Sequence, residues 1–195
     1  MRNTLPAVLL LALAIMLSAC GTTQQTTFYT LGPVAAEQTA AASGGPKVSV
    51  AAVTIPEFLD RPQLVLTGES PKVNIMETHR WAEPLKNAIP RIIADNLSGR
   101  LGADKVSYSP QYASIKSDYR VFVDIRQFGA IKGLVTVEAL ITVKPATDGA
   151  AVITRRSLQT ATFTGEGYGP MVEAYSSALD RLAGDIAAAL PKKTD

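Results

Sequence analysis

The chain contains a single cysteine, and its position constrains the protein more than any other residue does. Cys20 follows Ala7 to Leu17, an unbroken apolar run of eleven residues preceded by the basic Arg2. A helix needs about 20 such residues to cross a bilayer. The run is therefore too short for a permanent span and has the length of a signal-peptide hydrophobic region. It ends in Leu17-Ser18-Ala19-Cys20-Gly21, where small side chains suit a signal-peptidase site. One cysteine excludes a disulfide scaffold and a cysteine zinc cluster. A single histidine, His79, excludes a His-rich metal site and argues against a catalytic triad.

Leu17-Ser18-Ala19-Cys20 resembles the bacterial lipobox. The resemblance implies residues 1–19 as signal peptide, cleavage before Cys20, a diacylglycerol on the Cys20 sulfur and a third acyl chain on its amino group. An ordinary secretory signal ending near a cysteine is the alternative, but it leaves an unpaired thiol in an oxidising envelope. Each buried methylene contributes about 0.8 kcal/mol, and two or more chains anchor stably where one holds only reversibly. Gly21, rather than Asp, in the second mature position resembles the sorting pattern for the outer membrane of diderm bacteria. Removing 19 of the 195 residues leaves 176, with 18 basic and 17 acidic side chains. This near-neutral chain has no basic footprint for nucleic acid. The full 195-residue sequence is 47% hydrophobic and 18% charged, a globular composition, and the mature chain is long enough for one core without staples.

Residues 20–46 read as the lipidated end, a Thr/Gln-rich tether, a short extended segment at Phe28 to Leu31, and an Ala/Gly/Ser-rich linker from Pro33 to Pro46. Residues 47–191 form the folded domain and 192–195 a tail. Val48 to Ile55 is apolar at both parities, the pattern of a central strand covered on both faces. Leu64 to Leu66 and Val73 to Ile75 flank Thr67-Gly68-Glu69-Ser70-Pro71 as a hairpin. From Glu83-Pro84, apolar side chains at Leu85, Ile89, Ile92, Ile93, Leu97 and Leu101 fall on one helical face, with Gly102 as the stop. Pro90 predicts either a kink there or a regular helix that begins near Asn87. A short strand follows near Val106 to Ser109. Tyr119 to Phe128 and Leu134 to Val143 alternate as half-buried antiparallel strands joined by Gln127 to Gly133, and Val152 to Phe163 makes another. Gly165 to Pro170 is a loop, and Met171 to Leu190 is a long amphipathic helix. The order predicts an α+β fold: a single α/β sandwich domain with a mixed, mostly antiparallel sheet and two main helices.

Chemistry-bearing motifs are sparse. Gly165-Glu166-Gly167-Tyr168-Gly169-Pro170 lacks the spacing and the Lys of a phosphate loop, so a plain loop is the better reading. His79 has only Glu77 and Glu83 near it in sequence, which favours a surface or capping role over catalysis. No Gly-x-Ser-x-Gly elbow is present. Glu57 and Asp60 share a loop, as any two acids can. No catalytic residue, cofactor site or metal site is assigned. Two stretches stand out instead, Ile55 to Leu64 and Arg80-Trp81-Ala82-Glu83-Pro84-Leu85, which gather the only Trp and two arginines. Arg and Trp dominate interface hot spots, so Leu59, Asp60, Arg61, Pro62, Gln63, Arg80 and Trp81 are candidate partner contacts. The internal alternative stands beside it: an Arg pairs with a nearby acid and Trp81 plugs the core edge.

Phe28-Tyr29-Thr30-Leu31, Leu59-Asp60-Arg61-Pro62-Gln63, Arg80-Trp81-Ala82-Glu83-Pro84-Leu85 and Ala174-Tyr175-Ser176-Ser177-Ala178-Leu179 resemble, in that order, the PqiC/YmbA family of auxiliary lipoproteins of ABC-type and MCE-type transport systems. The likeness covers about Phe28 to Leu190; Phe-Tyr stands where Tyr-Tyr is common. It implies an outer-membrane lipoprotein facing the periplasm, a non-catalytic subunit of an intermembrane lipid transport system that supports envelope integrity. The implied partners are an MCE-domain bridging protein and an integral inner-membrane component, and a tubular bridge favours a ring of copies of this chain. Two other classes stay open: a lipoprotein activator of a cell-wall synthase, and an envelope hydrolase.

Overall fold

The longest ladder turns on two residues. Lys132 and Gly133 both have positive φ, 48° and 79°, the geometry of a tight hairpin turn whose twist matches its strands. In this computed structural model, which describes residues 24–34, 45–67, 71–108, 116–147 and 149–191, that turn joins β6 (Tyr119–Ile131) to β7 (Leu134–Pro145). The sequence expectation of a connection from Gln127 to Gly133 is corrected. A bulge between Ile125 and Gln127 shifts the register, and the strand continues to Ile131. The signal segment, Cys20, residues 35–44 of the linker, the hairpin tip at 68–70 and the tail 192–195 lie outside the described residues.

The other elements follow chain order. They are β1 (Thr27–Tyr29), β2 (Val48–Thr54), a 3-10 turn at Glu57–Leu59, β3 (Gln63–Thr67), β4 (Val73–Trp81), α1 (Leu85–Leu101), a second 3-10 turn at Ala103–Lys105, β5 (Val106–Tyr108), β8 (Ile153–Thr162) and α2 (Gly169–Ala189). They form an α+β fold with mixed sheets. A five-stranded sheet runs β5-β2-β6-β7-β8, and a three-stranded one runs β1-β4-β3. β2 pairs in parallel with β5 and β6, whereas β6, β7 and β8 are antiparallel to one another. β2 is central, as its composition predicts, but not covered twice. Both helices lie on one face of the sheet, and a bulge between Val50 and Ala52 turns the strand, so Val48 and Val50 are buried while Ala52 and Thr54 are exposed on the open face.

That face carries the alternation read from the sequence. Val121, Val123 and Ile125 of β6 and Val135, Val137, Ala139, Ile141 and Val143 of β7 are all buried against the helices. α1 contributes Leu85, Ile89, Ile92, Ile93 and Leu97. It stays helical through Pro90 rather than starting at Asn87. Its first carbonyl is capped early, as Asn87 and Ala88 both donate to Pro84 O, so the missing Pro90 N–H removes one bond near the start. Gly102, at φ 107°, ends it with its N–H on Ser98 O. α2 begins two residues earlier than the periodicity predicts and buries Met171, Val172, Tyr175, Leu179, Leu182 and Ile186. Arg100 of α1 and Asp180 of α2 tie the helices at 2.8 Å.

The small sheet meets the large one at Gly129 of β6. The Thr67 hydroxyl occupies the space that a Cβ at this position would need, so glycine is what lets β3 approach. Burial pushes the Tyr175 phenol above its ordinary range. Below about pH 10 the phenol is neutral in both folded and unfolded chains. Above that the unfolded chain ionises while the folded core resists, so stability falls by up to about 1.4 kcal/mol per pH unit. Urea unfolding at pH 8 to 11 is expected to show a steeper alkaline loss for the parent than for Tyr175→Phe; identical slopes would contradict this burial.

Candidate interaction surface around Trp81

β4 runs to Trp81, six residues beyond the segment legible as a strand. Its ladder with β3 is broken: Gln63 pairs with Arg80, but the next residue, Leu64, pairs with Met76. The extra β4 residues, Glu77 to His79, bow out between these pairs, which hides the alternation in the sequence. Beyond the break the chain is clamped from both sides. Trp81 N–H donates to Pro62 O at 2.7 Å, and Ala82 N–H donates to Tyr29 O at 2.8 Å. On the other edge β1 runs parallel to β4, with Phe28 opposite Arg80 and Tyr29 opposite Trp81.

The two motif stretches therefore meet, as neighbouring strands, but their residues divide. Trp81 is only 6% exposed and Leu59 2%. The indole lies edge-on to Phe128 and Tyr175, with centroids 6.5 and 6.4 Å away, and those two rings stack at 4.0 Å. Leu59 and Trp81 thus have the internal place weighed beside the partner-facing one: their apolar surface is already spent on the core. Asp60, Arg61, Pro62, Gln63 and Arg80 remain at the surface, exposed or half-buried. Asp60 pairs with Lys86 at 3.0 Å, an exposed contact of small energetic weight. Gln63 donates to the Glu77 carboxylate at 3.2 Å, and Arg80 Nε donates to Glu77 O at 3.3 Å. Arg61 Nε is buried without a hydrogen-bond partner. Among the described residues neither Arg61 nor Arg80 has a carboxylate within ion-pair distance.

A neighbouring cluster escaped the sequence. The Tyr29 hydroxyl and His79 Nδ1 lie 3.0 Å apart, the Tyr168 ring packs edge-on to His79 at 4.5 Å, and the Tyr168 hydroxyl donates to Met76 Sδ at 2.9 Å. His79 is a half-buried packing residue rather than a surface or capping one. The glycine-rich loop works here as a presenter: positive φ at Gly165 and Gly167 brings Tyr168 onto the small sheet. No local signal could reveal this, because Tyr168 is 89 residues from His79. Among the described residues no group of His, Cys, Asp or Glu is placed to hold a metal ion. A cleft of about 400 Å³ lies between α1 and β2. Glu83, Lys86 and Arg91 line one wall and Val50 to Val53 the other. Arg91 is held by Glu83 and, at 3.6 Å, by Asp95, whose carboxyl burial pushes up against the lowering effect of Arg91. So charged a wall does not suit an acyl chain.

The fold and this surface describe a small α+β domain whose two sheets share one aromatic core. The family model for the ABC-type transport auxiliary lipoprotein component matches residues 29–187, and the chain belongs to that family. It is similar in fold to a crystal structure of an uncharacterized protein (19% identity, TM-score 0.69, covering 85% of this chain and 98% of that one). It is similar also to a Xanthomonas campestris protein of the DUF330 family (16% identity, TM-score 0.68, covering 83% and 93%). At these identities the likeness speaks for the fold alone. Curated proteins gave no match.

Truncating Trp81 to Ala should cost about 3–5 kcal/mol of stability, as for other buried aromatics. Arg80→Ala should cost under about 1 kcal/mol, the range of an exposed contact. Chemical denaturation of both variants checks this; equal losses would mean that the indole is not the core residue of the pair.

Proposed function

We propose that this chain is an outer-membrane-anchored periplasmic lipoprotein and a non-catalytic subunit of an MCE-type intermembrane lipid transport system that supports envelope integrity. Family membership over residues 29–187 carries the reading, and the Cys20 signal ahead of it supplies the anchor. The energetics are those of attachment. Acyl chains on Cys20 hold the protein at the membrane by many buried methylenes, while the domain stays in the aqueous space. Among the described residues no helix is long and apolar enough to cross a membrane. From that position the domain docks on the periplasmic end of an MCE-domain bridging protein and aligns the conduit with the outer membrane. An integral inner-membrane component completes the path, and copies of the chain form a ring on a tubular bridge. The mixed, charged cleft favours an adaptor over a lipid carrier.

Two measurements test this. Cys20→Ala is expected to move the protein from the membrane to the soluble fraction and to remove its support of envelope integrity. Pull-down of the intact lipoprotein from solubilised membranes, read by mass spectrometry, is expected to recover the MCE-domain protein. Recovery of a cell-wall synthase instead, or substrate turnover by the purified protein, would replace the reading with the activator or the hydrolase.

A further inference from the structure

We infer that the surface formed by Phe28, Arg80, Gln63 and Arg61 is the face the domain lays on the membrane, where it contacts the phosphates of phospholipid headgroups. The inference rests on the anchoring proposed above and adds which side of the domain meets the lipid.

The first observation is tether length. Seven residues lie between Cys20 and Phe28, so a fully extended chain of eight steps carries Phe28 at most about 28 Å from the acylated residue. A domain of this size has a radius of gyration of about 15 Å, and is thus roughly 40 Å across. The tether is shorter than the body it holds. It excludes orientations that put the β1 edge on the side away from the bilayer, and what that edge carries selects among the rest.

The second observation is what that side carries. Phe28 is 62% exposed, the most exposed large apolar side chain of the described residues. It is paired across the parallel ladder with Arg80, which is paired in turn across the antiparallel one with Gln63. Cross-strand partners share a face, so an aromatic ring, a guanidinium and an amide form one row. Arg61, half-buried, lies in the bend that leads into β3 at Gln63. Neither arginine meets a carboxylate within ion-pair distance among the described residues, a condition they share with Arg155 and Arg181 on β8 and α2, but only these two stand beside the exposed Phe28 edge. Guanidinium groups left without a carboxylate match phosphate oxygens in geometry and charge. An aromatic ring beside them suits the headgroup layer, where amphipathic side chains partition. Glu77, which accepts from Gln63, and Asp60, which pairs with Lys86, set acids beside these arginines, so the charges here are mixed and near balance. That balance fits headgroups carrying both a phosphate and an amine better than it fits a polyanion.

The experiment uses the full lipidated protein. Acylation leaves Cys20 without a free thiol, so a Phe28→Cys variant takes a bimane label at that site alone. A Leu158→Cys variant is the reference: Leu158 is 53% exposed on β8, the edge strand of the other sheet. Both are placed on phosphatidylethanolamine/phosphatidylglycerol vesicles with brominated acyl chains, with circular dichroism reporting that each is folded. Emission at position 28 is expected to be quenched at least threefold more than at position 158. Adding Arg61→Gln and Arg80→Gln should at least halve that difference while the protein still floats with the vesicles. A protein that floats with position 28 quenched no more than position 158 overturns the proposal and leaves the anchor intact. Position 28 shielded from aqueous iodide only after the bridging protein is added overturns it too, and gives the surface to a protein partner. A lipidated protein that fails to float removes the anchor and this proposal with it.

Discussion

The stack of Phe128 on Tyr175, with the Trp81 indole set edge-on to both, holds the molecule together where its parts converge. Phe128 comes from the large sheet, Tyr175 from the second helix and Trp81 from the small sheet. Each ring carries a large apolar area, and edge and offset contacts add to the burial. Without this meeting point the three-stranded sheet would be tied to the rest mainly through the close approach of β3 to Gly129 of β6. The bulge in β6 belongs to the same arrangement. Alternation would place Phe128 on the face opposite Ile125, and the shifted register restores it to the buried side.

The surface row of Phe28, Arg80 and Gln63 follows from this core. Trp81 is drawn inward, and its neighbour in the strand, Arg80, points to the other face by the period of two. The backbone bonds from Trp81 to Pro62 and from Ala82 to Tyr29 fix the lateral positions of three strand ends. A core residue and a surface residue sit side by side in each motif stretch for this reason. Trp81 beside Arg80, and Leu59 beside Asp60 and Arg61, each pair a buried side chain with one at the surface. An interface reading of either stretch as a whole merges two roles that the fold separates.

The long elements were legible because their signals are local. β6 and β7 alternate over many residues, and α1 and α2 repeat apolar side chains at three and four. The fold class follows from their order. The small sheet was less legible. β1 pairs with β4 across some fifty residues of chain, and Glu77 to His79 interrupt the alternation of β4. The β2 composition reads as doubly covered because its bulge changes which parity faces the helices, Val48 and Val50 before it and Val53 after it. The helical course through Pro90 depends on its place in the second turn, where one lost bond is borne by the packing of Ile89, Ile92 and Ile93.

By itself the sequence determined the alternating strands and amphipathic helices, the short apolar run that precedes the lone cysteine, and the family resemblance that the family model bears out. All are contiguous patterns, written in the period of two, the period of 3.6 or the length of a run. Only the tertiary structure decided that Trp81 is core and Arg80 is surface, that His79 packs between two tyrosines, and that Phe28 stands in a row with Arg80 and Gln63. Those facts depend on register between segments far apart in the chain. Register is set by bulges and long-range burial, which no local pattern encodes.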